Sequence, residues 1–525
     1  MFYQGVIVSD HLVIVNSDII TMQTENSRAK ALAFENSRIV RVGSTLDVQS
    51  LIDQGWPVLD LKDKTVLPGF IDTHEHMMLT GLLATSVHLN DVESLDQVLE
   101  KIADEVGRFE KGAWIRCSYF NEQNIAEKRM PNRTDLDRVC QDNPIFLLHA
   151  TCHMCSFNSK ALKILNIPFD LEGFDKESGN PTGIVRDPGI LTFVHPAMSK
   201  IIPHEAKLEF LQAAARTALK RGITTLHTLD GGDLGPGDTR VIWLNRDKLP
   251  VRVVCYNQSM DLSEIHQLNL PRVGGCICAD GAFEAHTAAL FEPYADEPDN
   301  YGELTYSQET MDKFILEANR AGLQIAVHCE SDRSIEQVLW AMEKALRDFP
   351  RTDHRHRIEH LELPTFNQID RMAKAGIMAG MQPAFISAFI GQENMEFYEV
   401  LLGKERLRRV HPYHSILNHG IPICGGSDSP VTPYDPLAGI QAAVNHPNAD
   451  ERITLHAAVE MFTKAAAWSA FEENDKGTIE TGKLADLVVL NDDPFAVDAK
   501  RIADIEIEHV FIGGQPQLSK TNGAN

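Results

Sequence analysis

The middle of the chain alternates short apolar runs with longer amphipathic stretches. The apolar runs are rich in β-branched residues and predict buried strands at 66–73, 223–229, 251–257, 274–280, 323–329, 357–361, 377–382 and 421–427. Several stretches between them have helical periodicity, among them Glu205–Arg221, Ser307–Ala321, Ser334–Phe349 and Leu455–Phe471. Eight strands that alternate with helices predict an α/β fold, a parallel (β/α)8 barrel of the TIM type.

Both ends of the chain instead contain short β-rich runs separated by turns. Neither end is long enough to form a good core alone, so we expect 1–67 and 475–525 to pair into one small β-sandwich domain. The barrel then occupies 68–474, which is much longer than a minimal barrel of about 250 residues. The stretch 86–205 separates the first two predicted strands. We therefore predict that it is an α/β subdomain inserted into the barrel.

Composition narrows the classes of function. The chain has 525 residues, 43% of them hydrophobic and 23% charged, as in folded globular proteins. A net charge of −25 argues against a nucleic-acid surface, which needs clustered Lys and Arg. No long uncharged apolar window predicts a membrane span, and no signal peptide is recognisable. Nine scattered cysteines do not suggest a disulfide framework, so we expect a cytoplasmic protein.

Potential metal ligands lie where predicted strands end. The first strand ends in His74 and His76, which share one face because side chains alternate along a strand. The fifth ends in His328, the sixth in His360 and the eighth in Asp428. Functional side chains of such barrels sit at the carboxyl ends of the strands, and imidazole is the commonest ligand for zinc-like ions. The pattern therefore predicts a divalent-metal hydrolytic site.

The chain also resembles the amidohydrolase superfamily, and within it the YtcJ-like branch that includes N-substituted formamide deformylases. The resemblance covers nearly the whole chain and rests on these segments: Pro68–His76, Asn158–Leu162, Pro181–Gly183, Arg221–Thr225, Ala279–Gly281, Thr287–Leu290, Val327–Asp332, Arg357–His360, Gly426–Pro430 and Gly477–Val488.

The resemblance implies that His74, His76, His328 and His360 are metal ligands, and that Asp428 is both a ligand and the proton shuttle. The expected cofactor is one or two divalent cations, Zn²⁺ first, with Mn²⁺ or Fe²⁺ as alternatives. A bound cation lowers the pKa of water from 15.7 to about 7 and so provides hydroxide at neutral pH. The implied activity is hydrolysis of a C–N bond of the amide type, and the implied assembly is a homo-oligomer, a dimer.

Cys276 marks a departure from many relatives, which have a lysine near the end of the fourth strand that is carboxylated to bridge two metals. Cys276 lies four residues before Asp280, at the corresponding position. A cysteine cannot be carboxylated in this way, but its thiolate is a good zinc ligand. Cys276 is thus a candidate ligand or bridge, with an inert buried thiol as the alternative. Cys278 shares its face of the strand and competes for the role.

Three residues are candidates for binding the substrate. His153 and His286 occupy positions where relatives carry a histidine and often an arginine, respectively. The alternative for His153 is a hydrogen-bonded histidine of the inserted subdomain. Asp280 either orients a ligand or caps a loop.

Other reactions remain open on the same metal site, namely deamination, ester or lactone hydrolysis, and decarboxylation. A non-enzymatic scaffold would be favoured by loss of His74, His76 or Asp428, and all three are present.

Overall fold

The computed structural model of the chain describes residues 2–3, 6–7, 9–150, 154–186, 188–391 and 395–519. The chain divides into two compact units, one formed by 1–76, 215–230 and 243–525, the other by 77–214 and 231–242. Within the described ranges, none of the helices combines the length and the hydrophobicity that a membrane crossing requires.

Eight parallel strands form the centre of the first unit. In chain order they are β1 Phe70–Glu75, β2 Ile223–Asp230, β3 Arg252–Asn257, β4 Arg272–Cys278, β5 Gln324–Cys329, β6 Arg357–His360, β7 Met378–Met381 and β8 Ile423–Gly425. They make two parallel sheets with the strand orders β1-β2-β3 and β4-β5-β6-β7-β8. Each predicted strand of the middle region therefore overlaps an observed one. Parallel strands with helical connections confirm the α/β fold.

Backbone hydrogen bonds join the two parallel sheets where β1 and β8 end. The N–H of Asp428 donates to the carbonyl of His74 over 2.7 Å, and the N–H of His76 donates to the carbonyl of Ser429 over 2.9 Å. Across the described residues no ladder links β3 to β4, so the strands do not make a fully closed hydrogen-bonded barrel.

Helices connect the later strands, and their sequences explain their limits. The helix Asp332–Asp348 buries Ile335, Val338 and Met342, whose spacing places them on one face. The helix Phe366–Ala375 begins after Thr365, whose side chain accepts the N–H of Gln368, and ends at a left-handed glycine. Among the described residues the α-helices are Thr45–Asp53, Met77–Ala84, Leu95–Val106, Arg133–Val139, Ser159–Leu165, His195–Ile201, His204–Leu219, Asp238–Asn245, Ser263–Leu268, Gln308–Arg320, Asp332–Asp348, Phe366–Ala375, Ala384–Phe389, Met395–Leu407, Tyr413–Asn418, Pro436–Val444, Leu455–Met461 and Lys464–Ser469. Met395–Leu407 is interrupted at Gly403, whose φ is 75°.

The single helix predicted over Leu455–Phe471 is instead two helices, Leu455–Met461 and Lys464–Ser469. The break is at Thr463, which has non-helical φ and ψ of −134° and −95°. The preceding carbonyl, that of Phe462, accepts the N–H of Ile71 in β1 over 2.8 Å. A contact with the sheet thus replaces a hydrogen bond within the helix, which periodicity alone does not reveal.

Two mixed sheets are built from the ends of the chain, and the first of them contains strands from both ends. The first has the order 515–519, 507–512, 487–490, 65–68, 18–20, 28–29, and the second 38–43, 31–35, 11–15, 58–60. The pair Leu487–Leu490 and Thr65–Pro68 is antiparallel and brings the two chain ends together in one sheet. One apolar cluster contains residues of both sheets, with the rings of Phe34 and Phe511 6.4 Å apart.

The second unit has its own six-stranded sheet, with the order 87–88, 115–120, 145–149, 154–157, 180–186, 174–177. Its apolar core includes Val98, Ile102, Ile115 and Leu147. The helix Leu95–Val106 packs on this core and begins after Ser94, whose side chain accepts the N–H of Gln97.

Candidate metal centre

The end of β1 presents two imidazoles whose Nδ1 atoms face hydrogen-bond acceptors. Nδ1 of His74 lies 2.7 Å from Oε2 of Glu359, and Nδ1 of His76 lies 2.7 Å from the carbonyl oxygen of Leu229. Both acceptors favour the tautomer that carries its proton on Nδ1. The lone pair of each Nε2 atom is then available to bind a cation, the usual arrangement for histidines that ligate metals.

The first group of candidate ligands contains His74, His76, Cys276 and Asp428, whose ligand atoms all lie within 4.8 Å of one another. Oδ1 of Asp428 is 3.0 Å from Nε2 of His76 and 3.4 Å from Nε2 of His74. Sγ of Cys276 is 3.3 Å from Nε2 of His74 and 3.5 Å from Nε2 of His76. Such separations suit donors arranged around one ion at about 2.0–2.3 Å.

The second group contains Cys276 again, together with His328 and His360, also within 4.8 Å of one another. The rings of His328 and His360 are 4.4 Å apart. Both ring nitrogens of His360 are buried without a hydrogen-bond partner. Buried polar atoms are rarely left in this state, so these residues fit a site that binds a metal ion.

Two candidate ligands adopt a backbone conformation that is uncommon outside glycine. His360 has φ of 65° and Asp428 has φ of 55°. Such conformations cost about 1–3 kcal/mol each and cluster at functional sites. In both residues the left-handed conformation occurs where the chain leaves a strand, at the ends of β6 and β8.

Glu359 is the partner of His74 and is itself held by Arg357. Its Oε1 accepts from Nε of Arg357 over 2.6 Å, and its Oε2 from an Nη of the same guanidinium over 2.7 Å. Burial tends to raise the pKa of Glu359, but Arg357 and His74 outweigh it and hold that pKa at about 2. Gly380 leaves room for this carboxylate, because a Cβ there would collide with Oε2 of Glu359.

Charges within the site favour a positive centre. Burial tends to lower the pKa of His74 and of His76, yet Cys276 and Asp428 outweigh burial and raise both pKa values well above 6.5. Burial tends to raise the pKa of Cys276 and of Asp428, yet the two histidines lower both. The thiol and the carboxyl therefore ionise readily and stabilise positive charge between them, whether it is a proton or a metal ion.

The candidate substrate residues lie in three different environments. Asp280 is 3.7 Å from Nε2 of His328 and accepts the backbone N–H groups of Ala289 and Glu330, over 3.0 and 3.1 Å. It thus borders the second donor group and also ties two loops together. His286 pairs with Asp296 over 2.9 Å and belongs to neither donor group. His153 lies outside the described residues. Their roles in substrate binding stay predictions.

Sequence reasoning missed Glu359 and Arg357, although a signal was present. They alternate with Ile358 and His360 along β6, so the two charged residues share a face of the strand. It also missed Asp72, whose Oδ1 accepts the N–H groups of His74 and Ser427 and so links the ends of β1 and β8. Burial raises the pKa of Asp72 to about 6.

Several known proteins are similar to this chain over most of its length. A family model described as the amidohydrolase family matches residues 57–517. YtcJ of Bacillus subtilis (strain 168), a protein named as an amidohydrolase, is 30% identical over 96% of this chain and 98% of its own. N-substituted formamide deformylase of Arthrobacter pascens is 27% identical over 97% of this chain and 98% of its own. The crystal structure of an uncharacterized metal-dependent hydrolase from Pyrococcus furiosus is 26% identical, with a TM-score of 0.80, and the match covers 92% of this chain and 99% of that one.

Proposed function

The chain belongs to the amidohydrolase family, and from this premise we propose that it is a metal-dependent enzyme that hydrolyses the C–N bond of an amide in a small molecule. The membership confirms the resemblance inferred from the motifs. The main support for the activity is the convergence of candidate ligands from β1, β4, β5, β6 and β8 on two adjoining donor groups. A similarity to N-substituted formamide deformylase over nearly the whole chain supports a C–N bond as the target.

The proposed ligands are His74, His76, Cys276 and Asp428 for one cation and Cys276, His328 and His360 for a second. Because Cys276 belongs to both groups, we propose that its thiolate would help to hold either ion, as a ligand or as a bridge. The proposed metal is zinc, since imidazole and thiolate are its preferred ligands. When bound, such ions polarise a substrate carbonyl and make water acidic enough to react at neutral pH.

Asp428 is the proposed general base and acid. Its buried carboxylate has a lowered pKa and is therefore ionised near neutrality, so Oδ1 is ready to accept a proton from the attacking water. The water oxygen then bonds to the carbonyl carbon, the C–N bond breaks, and Oδ1 returns the proton to the departing nitrogen. His74 keeps its orientation through Glu359, and His76 through the carbonyl of Leu229.

The proposed architecture is a (β/α)8 barrel over 68–474 with an inserted subdomain at 86–205. The β-sandwich domain comprises 1–67 and 475–525. The bonds between the ends of β1 and β8 support the barrel, and the pairing of Thr65–Pro68 with Leu487–Leu490 supports the sandwich. A cytoplasmic location is proposed because the eight described cysteines are free thiols. A homodimer stays a prediction.

One experiment tests the proposed function directly. The purified protein is analysed for bound metals and then incubated with a panel of N-formyl and N-acyl amines, and release of the free amine is measured. We expect one or two equivalents of zinc, and amine release that is about 100-fold or more slower in the variant Asp428→Asn. If the bound metal is manganese or iron, the proposed identity of the metal is wrong, but the proposed reaction is unaffected. Activity restricted to esters, lactones, aminated rings or carboxylates, or a protein that binds no metal, would contradict the proposal.

A further inference from the structure

Two glutamates follow candidate ligands at the same spacing. Glu330 lies two residues after His328 and Glu362 two residues after His360, on the segments that follow β5 and β6. They are 7% and 2% exposed. Since an extended chain advances at most about 3.6 Å per residue, each glutamate Cα lies within about 7 Å of the Cα of its candidate ligand. Two buried glutamates therefore lie on the segments that carry His328 and His360.

Neither glutamate is neutralised by a lysine or an arginine among the residues that the structure describes. Oε2 of Glu330 accepts the N–H of Phe283 over 3.1 Å, and Oε2 of Glu362 lies 3.4 Å from Nε2 of His411. The N–H of Leu363 donates to the carbonyl of Glu330 over 3.0 Å and joins the two segments. Burying carboxylates without a cation is costly, so this pair must be neutralised either by protons or by a positive partner.

Two neighbouring polar side chains are buried without hydrogen-bond partners. Nδ1 of His411 and both amide atoms of Gln382 have no hydrogen-bond partner, and each residue is 1% exposed. Nε2 of His411 points towards Glu362, as their 3.4 Å separation shows. Buried polar groups nearly always have a partner, so unpaired atoms on two adjacent segments indicate a ligand.

The position of Gln382 follows from the strand before it. Gly380 in β7 faces the carboxylate of Glu359, because a Cβ at Gly380 would collide with it. Residues two apart along an extended chain share a face, so Gln382 continues that face beyond the end of β7, on the side of the candidate ligands. The carbonyl of Gln382 accepts the N–H of Phe385 over 3.0 Å, and the ring of Phe385 stacks on His360 at 6.0 Å. The backbone of Gln382 is thus bonded to the residue whose ring contacts His360.

We propose that Glu330, Glu362 and Gln382 bind a positively charged group of the substrate, a protonated amine, beside the scissile amide. An ammonium group has three N–H donors, which two carboxylates and one amide oxygen can accept. The imidazole of His411 supports Glu362. This inference rests on the proposed function and adds the substrate class, an N-acylated amine that carries a second, cationic nitrogen a few bonds away.

A competing role for the two glutamates is to balance the charge of the metal ions. In that case their neutral variants would lose metal, and the preference among substrates would not change. Substrate binding makes the opposite prediction, since the metal would stay bound and the preference for charge would disappear.

The test compares two substrates on the metal-loaded protein. N-formyl-1,4-diaminobutane has an ammonium end at pH 7, and N-formylpentylamine has a methyl group in its place. We expect kcat/KM to be at least about tenfold higher for the charged compound. Glu330→Gln and Glu362→Gln should bring the ratio towards one by raising KM for the charged compound, with metal content unchanged. The matched control is Glu451→Gln, another glutamate that is 7% exposed, which should keep the wild-type ratio.

Equal kcat/KM for the two compounds on the wild-type protein would overturn the inference without the use of any variant. Loss of metal with an unchanged ratio would also overturn it. If neither compound is hydrolysed, the proposed function fails, and calorimetric binding of the same two compounds then decides the inference separately. Tighter binding of the charged compound would support it, and equal binding would overturn it.

Discussion

Nδ1 of His74 lies 2.7 Å from Oε2 of Glu359, in a contact where both side chains are completely buried. Glu359 in turn receives two hydrogen bonds from Arg357, so a guanidinium, a carboxylate and an imidazole form one chain that ends at the candidate metal centre. A carboxylate behind a ligating histidine fixes the orientation of the ring and strengthens it as a ligand. The affinity of the candidate site for a metal ion therefore depends on Glu359 and Arg357, which are not among the candidate ligands.

Glu359→Gln should weaken metal binding by about 10- to 100-fold, because the amide cannot supply the negative charge behind His74. It should also destabilise the metal-free protein by roughly 3–5 kcal/mol, since Arg357 is left buried without its partner. Metal affinity is measured by competition with a chelator and stability by denaturant unfolding. Glu451→Gln is the control, and equal metal affinity of Glu359→Gln and this control would contradict the prediction.

Cys276→Ser should reduce the metal content and lower kcat, because both donor groups lose their shared atom. A serine hydroxyl is protonated at neutral pH and is a poor substitute for thiolate. Metal stoichiometry and the rate of amine release are the readouts. The matched control is Cys278→Ser, on the same strand, whose thiol donates to the carbonyl of Cys276 over 3.5 Å and belongs to neither donor group. Unchanged metal content and rate in Cys276→Ser would exclude the bridge.

Asp428→Asn should lower kcat by about 100-fold or more and raise KM little, since removal of a general acid–base group typically costs about 10²–10⁴. Part of the metal should remain bound, because His74, His76 and Cys276 are intact. Asp435→Asn provides the control, as asparagine also caps a helix well. A variant Asp428→Asn with wild-type kcat would show that another group moves the proton.

Metal affinity should decrease as the pH falls from 8.5 to 6. The pKa values of His74 and His76 lie above 6.5 in the metal-free site, so both rings hold protons at neutral pH and a cation must displace them. Each displaced proton contributes roughly a tenfold change in affinity per pH unit below the raised pKa. Competition with a chromophoric chelator at several pH values measures the slope. A constant affinity over this range would contradict the proposed ligands.

Much of the strand pattern could be predicted because buried parallel strands are short, apolar and separated by helices. The ends of β1, β5, β6 and β8 also revealed His74, His328, His360 and Asp428, since a polar residue after an apolar run is easily recognised. The structure places all four in the two donor groups, and their role as ligands stays a proposal.

What the sequence could not reveal depends on contacts between distant segments. In the sequence, nothing distinguishes Glu359 from other charged residues in short strands. Only the structure places it against His74, which is 285 positions away. The break at Thr463 has a similar origin, because the carbonyl of Phe462 bonds to Ile71 of β1. Helical periodicity extends through this point and therefore does not predict the hydrogen bond to the sheet.

The place of Cys276 in both donor groups has a chemical consequence for how the enzyme assembles. A carboxylated lysine forms only when dissolved carbon dioxide reacts with the amine, whereas a thiolate needs only to lose a proton. The centre should therefore assemble in buffers depleted of bicarbonate. The same sulfur is open to oxidation, because a thiolate reacts with peroxide to give a sulfenic acid. Exposure to peroxide before metal is added should then leave a protein that cannot be activated until a reductant restores the thiol.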